Sequence, residues 1–352
     1  MEQKLYMISY MGNRTRGYNW IEYLLFAIIT MVIFVLCIFA GSVRVPAGEI
    51  LSSIRDFISG QTENTNTAMQ IMKIRLPRVI NVALTGAALA LCGAAMQGLL
   101  RNPLADGSTL GVSSGASLGA IISIAFGIAI PGLNGGSTVL MSILFAFASL
   151  VLILSLAYRL DYTLATNTII LIGVVFTMFA HSLISMIVVF ADEKVKSIMF
   201  WTMGSLAGSN LKNAATLTVA LILCGGLLLL HADELNAFAI GEENARHIGV
   251  NVRRVKLIIL IAVSVLIGVS VSIGGTIGFA GLVIPHIARM IVGPNHRRLL
   301  PASLFAGASF LMLADLIGRI ILRPLELPIG VVTSFTGSIA FVYIFYNTRR
   351  VK

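Results

Sequence analysis

Residues 108–158 read STLGVSSGASLGAIISIAFGIAIPGLNGGSTVLMSILFAFASLVLILSLAY, and none of them carries a charged side chain. Two membrane-spanning helices of about 20 apolar residues each fit into this stretch. The segment PGLNGG at residues 131–136 is the turn that we expect between them. So long an uncharged stretch is typical of a chain whose surroundings are lipid rather than water.

The composition of the whole chain agrees with this interpretation. Of the 352 residues, 57% are apolar and only 11% are charged, and the mean hydropathy is +0.93. Soluble domains usually contain about 25% charged residues. Cys37, Cys92 and Cys224 lie singly in different apolar stretches. Their spacing therefore predicts neither a disulfide framework nor a metal cluster.

Charges, prolines and glycine pairs divide the chain into about ten spans. The expected spans are residues 20–41, 79–100, two within 108–158, 162–190, 213–231, two within 257–289 that separate at Gly274-Gly275, 299–322 and 327–347. We therefore predict an all-α polytopic membrane protein. Residues 1–352 are expected to form a single transmembrane domain with a short tail at 1–19.

The distribution of basic residues predicts the orientation of the chain. An even number of spans places both termini on one side, and both tails are rich in Lys and Arg, which favours the cytoplasm. The expected location is the cell membrane, with many passes. An elbow at about 232–255 then also faces the cytoplasm. The formal net charge of +10 is assigned to this topological bias rather than to nucleic-acid binding.

One basic motif contradicts the topological bias. The segment KIRLPR at residues 73–78 is expected at the outer face. Arg75 and Arg78 either contact lipid phosphates or bind an external partner with acidic side chains, since guanidinium–carboxylate pairs supply energy and register. Asp315 and Arg319, one helical turn apart near the same face, either form an intrahelical pair or belong to the same functional surface.

Two glycine patterns carry structural expectations. Gly111, Gly115 and Gly119 are spaced by four, so they line one face of span three and permit close approach of another backbone. In the elbow, residues 238–250 indicate a short helix, a glycine break and a second short element. We favour docking of a cytosolic partner on this elbow over a simple linker.

Several classes of activity lack their signatures. The chain has no Gly-x-x-x-x-Gly-Lys-Ser/Thr loop, no His-Glu-x-x-His helix and no nucleophile–base pairing. We therefore expect no enzymatic activity and no bound metal or cofactor. Coupling-ion carriers often bury carboxylates near the middle of the membrane, and only Asp315 is a candidate here. An ion-coupled secondary transporter is the alternative function.

Six motifs occur in order along most of the chain. They are RLPR at 75–78, GAAMQGLLRNPLAD at 93–106, LGVSSGAS at 110–117, GEENARHIG at 241–249, GFAGLVIPHIAR at 278–289 and ELPIGVV at 326–332. Together they resemble the FecCD-type permeases, the membrane subunits of type II ABC importers for iron-siderophores, haem and cobalamin.

The resemblance implies a ten-helix permease that pairs with a second copy or with a closely related permease. Two cytosolic ATPase subunits would bind ATP, because this chain binds none, and an extracytoplasmic binding protein would deliver the cargo. A ferric siderophore is the first expectation for the cargo, haem the second and cobalamin the third.

The resemblance also assigns residues to roles. Binding-protein docking is assigned to Arg75, Arg78 and Arg319. ATPase coupling is assigned to the elbow residues Gly241, Glu242, Glu243, Ala245, Arg246 and Gly249. Gating is assigned to Asn102, Leu104, Thr166 and Asn167, and spans five and ten are expected to line the pathway. Asn167 replaces a serine of the family pattern, so the gate chemistry there differs.

Overall fold

The computed structural model describes residues 18–43, 67–131, 136–162 and 165–350, with a few positions between 46 and 59. The predicted tail at 1–19 therefore lies almost wholly outside the described residues. Within them the regular structure is helical. The helices are α1 Trp20–Phe39, α2 Thr67–Leu99, α3 Val112–Ala125, α4 Ser137–Leu160, α5 Thr166–Phe190, α6 Val195–Thr202, α7 Leu211–Leu230, α8 Ala232–Ala239, α9 Glu242–His247, α10 Val252–Gly274, α11 Ala280–Val292, α12 His296–Ile320 and α13 Ile329–Arg350.

Ten of these helices correspond to the ten predicted spans. By length and composition, seven can cross a membrane, namely α1, α2, α4, α5, α7, α10 and α12. The apolar helices α3 and α11 are shorter, and so is the apolar part of α13. The break expected at Gly274-Gly275 is confirmed, because α10 ends at Gly274 and Gly275 has a φ of 69°.

Helix α2 begins at Thr67, twelve residues before the predicted start at residue 79. Pro77 lies inside the helix, although proline usually marks a boundary or a kink. The buried side chain of Asn81 donates a hydrogen bond of 2.7 Å to the Pro77 carbonyl. Arg75 and Arg78 therefore belong to a helix rather than to the loop before it.

The core is built on glycine contacts between helix backbones. A Cβ atom on Gly86 of α2 would lie 2.3 Å from the carbonyl oxygen of Gly307 of α12. A Cβ atom on Gly93 would lie 1.7 Å from the carbonyl oxygen of Gly281 of α11. Helices α2, α10 and α12 are accordingly mostly buried, whereas α1 and α5 are mostly exposed.

The glycine face predicted for span three is confirmed for two of its three members. Cβ atoms on Gly115 and Gly119 would lie within 3 Å of carbonyl oxygens of α4. Gly111 differs, because it precedes α3 with a φ of 74° and faces the Gly173 carbonyl of α5. This turn needs glycine for its left-handed backbone as well as for close approach.

The elbow has the predicted pattern of helix, glycine and second helix. Helix α8 ends at Ala239, Gly241 has a φ of 114°, and α9 follows at once. Gly249 ends the elbow with a φ of 93°. Both glycines occupy backbone conformations that side chains with a Cβ atom rarely adopt. The short helix α6 was not expected from the sequence.

Candidate functional site

The three arginines predicted for docking lie together at one end of the bundle. Arg78 donates to Asp315 Oδ1 from Nη2 at 2.8 Å and from Nε at 3.0 Å, and to Glu326 Oε2 at 2.6 Å. Arg319 Nε lies 2.8 Å from Asp315 Oδ2. Asp315 thus joins α2 to its own helix. We name Arg75, Arg78, Asp315, Arg319 and Glu326 the arginine cluster.

The cluster also holds the end of α1 and the residues after it. Arg319 donates to the carbonyl oxygens of Cys37 and Ala40 at 3.1–3.3 Å. Arg75 donates to the carbonyl oxygens of Ile38 and Val43. Carbonyl groups in the last turn of a helix lack partners within the helix and carry partial negative charge. The guanidinium groups therefore fix the chain where it leaves α1.

Burial defines what this cluster can do. Arg75, Arg78 and Arg319 are only 6%, 7% and 2% exposed, and each is bonded within the chain. The intrahelical Asp315–Arg319 pair, one of the two alternatives that the sequence left open, is present, and Arg78 also contacts Asp315. An external carboxylate could reach these arginines only by displacing an internal acceptor. The docking role of the three residues stays a prediction.

Glu326 is the most accessible acceptor of the cluster. Its side chain is 31% exposed, against 2% for Asp315. Burial raises the pKa of this carboxyl group. The hydrogen bond and the charge of Arg78 lower the pKa by more than burial raises it, so the pKa lies below its usual value. Glu326 is therefore ionised at neutral pH and is the carboxylate that an incoming acidic group would replace with least rearrangement.

A second cluster of polar side chains lies where α5, α9 and α10 begin. Glu242 Oε1 lies 2.7 Å from Lys256 Nζ and accepts a hydrogen bond of 3.1 Å from Thr166 Oγ1. Lys256 is almost completely buried. The predicted coupling residue Glu242 therefore contacts the predicted gate residue Thr166 directly.

Thr166 and Glu242 border a cavity of about 350 Å³, which we name the elbow cleft. The residues that line it are Arg101, Ala165, Thr166, Asn167, Glu242, Glu243 and Arg246. The structure thus brings together two predicted gate residues and three predicted coupling residues. Arg101 on one side and Glu242, Glu243 and Arg246 of α9 on the other make the cleft suitable for contact with a polar protein surface.

The remaining predicted residues lie around this cleft without lining it. Ala245 is the fully buried residue of α9, and Gly241 and Gly249 form the turns on either side of that helix. Asn102 Oδ1 accepts a hydrogen bond of 2.9 Å from the Leu104 amide, and Leu104 is half exposed. Their predicted roles in coupling and gating remain predictions.

The elbow is also bonded to the first turn of α12. Arg297 donates two hydrogen bonds to Asp233 of α8, and this contact lowers the pKa of that carboxyl group. Asn236 Oδ1 accepts from the His296 amide at 2.8 Å. Asn236 Nδ2 donates to Asn295 Oδ1 at 3.0 Å. Because α12 carries Asp315 and Arg319 in its last turns, one helix connects the elbow with the arginine cluster.

Sequence reasoning missed Arg101, which lines the elbow cleft, and Lys256, which pairs with Glu242 beside it. The position of Lys256 directly before the apolar run from Leu257 was a signal of its burial. Arg101 adjoins the predicted gate residue Asn102, but it has a φ of 48°, which the sequence does not reveal. In the described part of the chain, no group of three or more His, Cys, Asp or Glu side chains could hold a metal ion.

Comparisons with known proteins find relatives over nearly the whole length of the chain. The model of the FecCD transport family matches residues 29–347. The uncharacterized ABC transporter permease protein YvrB of Bacillus subtilis is 38% identical over 340 residues, which cover 96% of each chain. The vitamin B12 import system permease protein BtuC of Klebsiella pneumoniae is 36% identical over 351 residues, 99% of each chain.

A solved structure has the same architecture. It is an inward-facing conformation of a putative metal-chelate type ABC transporter, with a TM-score of 0.80 and 30% sequence identity. The match covers 92% of this chain and 98% of that chain.

Proposed function

The chain belongs to the FecCD transport family of ABC importer permeases, and we propose that its cargo is a metal chelate, a ferric siderophore in the first instance. The similarity to a metal-chelate transporter and to a vitamin B12 permease supports this class of cargo. Haem and cobalamin are the other members of the class. All three are bulky molecules, and the many glycines of the bundle permit rearrangement around a large cargo.

The energy for import comes from separate subunits. Two cytosolic ATPase subunits bind ATP and contact the elbow. The elbow cleft is lined by side chains of both charges, which suits such a contact. One observation carries this proposal: Glu242 is bonded to Thr166 of α5 and to Lys256 of α10. A displacement of the elbow therefore acts directly on the first turns of two membrane helices.

The transport mechanism that follows is alternating access. Closure of the ATPase subunits moves the two elbows of a permease pair together. Helix α5, which carries Thr166 and Asn167 at the elbow cleft, then reorients and opens the pathway on one side at a time. No tight cargo site within the membrane is needed, because the binding protein supplies selectivity.

The binding protein docks at the end of the bundle that carries the arginine cluster. Its acidic side chains approach Glu326, and one of them replaces the Glu326 carboxylate as the partner of Arg78. Such an exchange keeps the guanidinium paired throughout, so it avoids the large cost of an unpaired buried charge. The exposed Arg323, which donates a hydrogen bond of 2.7 Å to the Gly41 carbonyl, extends the positive surface at this end.

A second copy of the chain completes the pathway. Helix α5 leaves Leu171, Val175 and Met178 well exposed, and α13 leaves Phe335 and Val342 exposed. Large apolar side chains on two helices are what a pair of permease subunits would bury between them. The pathway then lies between the two copies of α5 and α13.

Transport by the reconstituted complex tests these proposals. The chain is incorporated into vesicles with its ATPase inside and its binding protein outside, and uptake of a ferric siderophore, haemin and cobalamin is measured with and without ATP. We expect ATP-dependent uptake of one metal chelate. Uptake driven by a proton or sodium gradient in the absence of ATP would instead support an ion-coupled secondary transporter.

A further inference from the structure

A cleft that the transport mechanism does not use lies between residues 72–77 of α2 and the start of α7. It has a volume of about 440 Å³. The residues that line it are Met72, Lys73, Leu76, Pro77, Ser209, Asn210, Leu211 and Lys212. We name it the lysine cleft. It lies at the same end of the bundle as the arginine cluster, because α2 carries Arg75 and Arg78 beside it.

The two walls of the lysine cleft are held together. Asn81 is fully buried in α2 and donates through Nδ2 to the carbonyl oxygens of Pro77 and Asn210, at 2.7 and 3.0 Å. The Asn210 side chain in turn accepts a hydrogen bond of 2.9 Å from the Asn213 amide and caps α7. The cleft is therefore a constructed feature rather than a gap between two loosely packed helices.

The polar groups of the cleft suit a negatively charged oxygen ligand. Lys73 and Lys212 are exposed, and neither has a carboxylate within ion-pair distance among the described residues. The Ser209 hydroxyl is shielded from solvent and has no hydrogen-bond partner in the described part of the chain. The amino-terminal end of α7 adds partial positive charge to the same place.

The exposed face of α7 shows what surrounds the cleft. Lys212, Thr216, Val219 and Leu223 follow one another at helical spacing, and all are exposed. Val219 is 57% exposed and Leu223 63% exposed. A face of large exposed apolar side chains on a membrane helix contacts acyl chains. Lys212 lies at the top of that face, where a lysine extends its ammonium group to the level of lipid phosphates.

We propose that the lysine cleft binds the headgroup of an anionic phospholipid, with its phosphate between Lys73 and Lys212. The acyl chains then follow Leu76, Leu211 and the exposed face of α7. Two lysines without an internal counter-ion favour a lipid of net negative charge over a zwitterionic one. A protein carboxylate fits less well, because the apolar wall continues downward into the membrane rather than outward into water.

Native mass spectrometry of the full chain tests the proposal. The purified protein is titrated with dioleoylphosphatidylglycerol or with dioleoylphosphatidylcholine, and the bound lipid is counted. We expect the anionic lipid to bind more tightly. Lys73→Gln with Lys212→Gln is expected to weaken it about thirtyfold, since each basic residue near the headgroups contributes about fivefold. The matched control is Lys194→Gln with Lys196→Gln, two exposed lysines on and beside α6, which is expected to bind as the unaltered chain does.

Any one of the following results would overturn the proposal. One is equal affinity for the two lipids, and another is an unchanged affinity of the Lys73/Lys212 variant. Displacement of the anionic lipid by an equal concentration of inorganic phosphate would show an ion site rather than a lipid site. If the variant kept its lipid affinity but lost binding of the extracytoplasmic protein, the cleft would be a protein-docking site instead. The melting temperature of each variant in phosphatidylcholine serves as the folding control.

Discussion

Asp315 is the residue on which the arginine cluster most depends, because its two oxygens contact Arg78 and Arg319 from opposite sides. Asp315→Asn removes the negative charge that lies between the buried guanidinium groups of Arg78 and Arg319. We expect a loss of about 3 kcal/mol in the free energy of unfolding, as is typical when one partner of a buried ion pair is removed. Thermal unfolding in detergent measures the effect.

The control for this substitution is Asp192→Asn, an exposed carboxylate before α6. Neutralising it is expected to change the unfolding free energy by less than about 0.5 kcal/mol. Equal melting temperatures for the Asp315 and Asp192 variants would mean that the cluster contributes nothing measurable to stability.

The sequence located the arginines but not their environment. The basic motif on the unexpected side of the membrane singled out Arg75 and Arg78, and the helical spacing paired Asp315 with Arg319. Their burial and their bonds to the carbonyl groups after α1 depend on contacts between residues far apart in the chain. Local patterns carry no information about such contacts, so the sequence suggested free docking groups where the structure has internally bonded ones.

At the scale of the helices, Gly93 in α2 lies close to the Gly281 backbone of α11. Gly93→Ala places a Cβ atom 1.7 Å from a carbonyl oxygen, so the two backbones must separate. We expect a loss of about 3 kcal/mol, at the upper end for overpacking. The yield of monodisperse protein in size-exclusion chromatography and its melting temperature measure the effect.

Gly226→Ala is the matched control in α7, because no atom lies within 4 Å of the added Cβ position. Alanine in a helix is favoured over glycine by roughly 0.5–1 kcal/mol, so this variant is expected to be at least as stable as the unaltered chain. A destabilised Gly226 variant would show that any added methyl group is harmful, and the argument from close backbone contact would fail.

The contacts of Glu242 in the elbow helix α9 lead to a second prediction at the scale of helices. Glu242→Gln weakens the contact to Lys256 and α5, so ATP hydrolysis by the ATPase subunits should persist while uptake falls about tenfold, equivalent to about 1.4 kcal/mol of coupling. The ratio of cargo imported to ATP hydrolysed in vesicles is the measurement.

Glu243→Gln provides the comparison, since Glu243 also lines the elbow cleft but no hydrogen bond or ion pair with α5 or α10 is described for it. Its ratio of import to hydrolysis is expected to stay close to that of the unaltered chain. If both variants lost import equally, the charge of the cleft rather than the Glu242 contact would account for coupling.

Hydrophobic patterns predicted the positions of the helices well and the ends of the helices less well. Apolar length and glycine pairs predicted ten spans and the division of the elbow. The start of α2 was missed because Pro77 and the charges before it suggested a boundary, whereas the helix runs through Pro77 from Thr67. The short helix α6 has too few residues for a periodic pattern to indicate it.

For the molecule as a whole, the two polar sites lie at opposite ends of the bundle, and the orientation of the chain makes a direct prediction. Ile74 at the arginine end and Ile248 at the elbow are both well exposed, at 60% and 65%. In intact cells, a membrane-impermeant thiol reagent should label Ile74→Cys. It should label Ile248→Cys only after permeabilisation.

The native cysteines provide the background for this experiment. Cys37 and Cys92 are buried and Cys224 is half-buried, so the unaltered chain should react slowly. Labelling of Ile248→Cys in intact cells would place the elbow outside and would contradict the proposed position of the ATPase subunits.

The architecture as a whole was predictable because every span carries its own apolar signal. The contact among Thr166, Glu242 and Lys256 was less predictable. The resemblance named the first two residues, but nothing in the sequence linked them to a buried lysine. Contacts between the ends of helices depend on loop geometry, which glycines at positive φ set and sequence patterns indicate only in outline.

The separation of Arg78 and Asp315 along the chain, 237 positions, has a consequence for biosynthesis. At ~5–20 residues per second, a ribosome needs roughly 10–50 s to reach the carboxylate after it has made the arginine. During that interval α2 is already available for insertion, with its basic residues still lacking their final acceptors. A chain released before that point would carry Arg78 without the carboxylate that pairs with it in the folded protein.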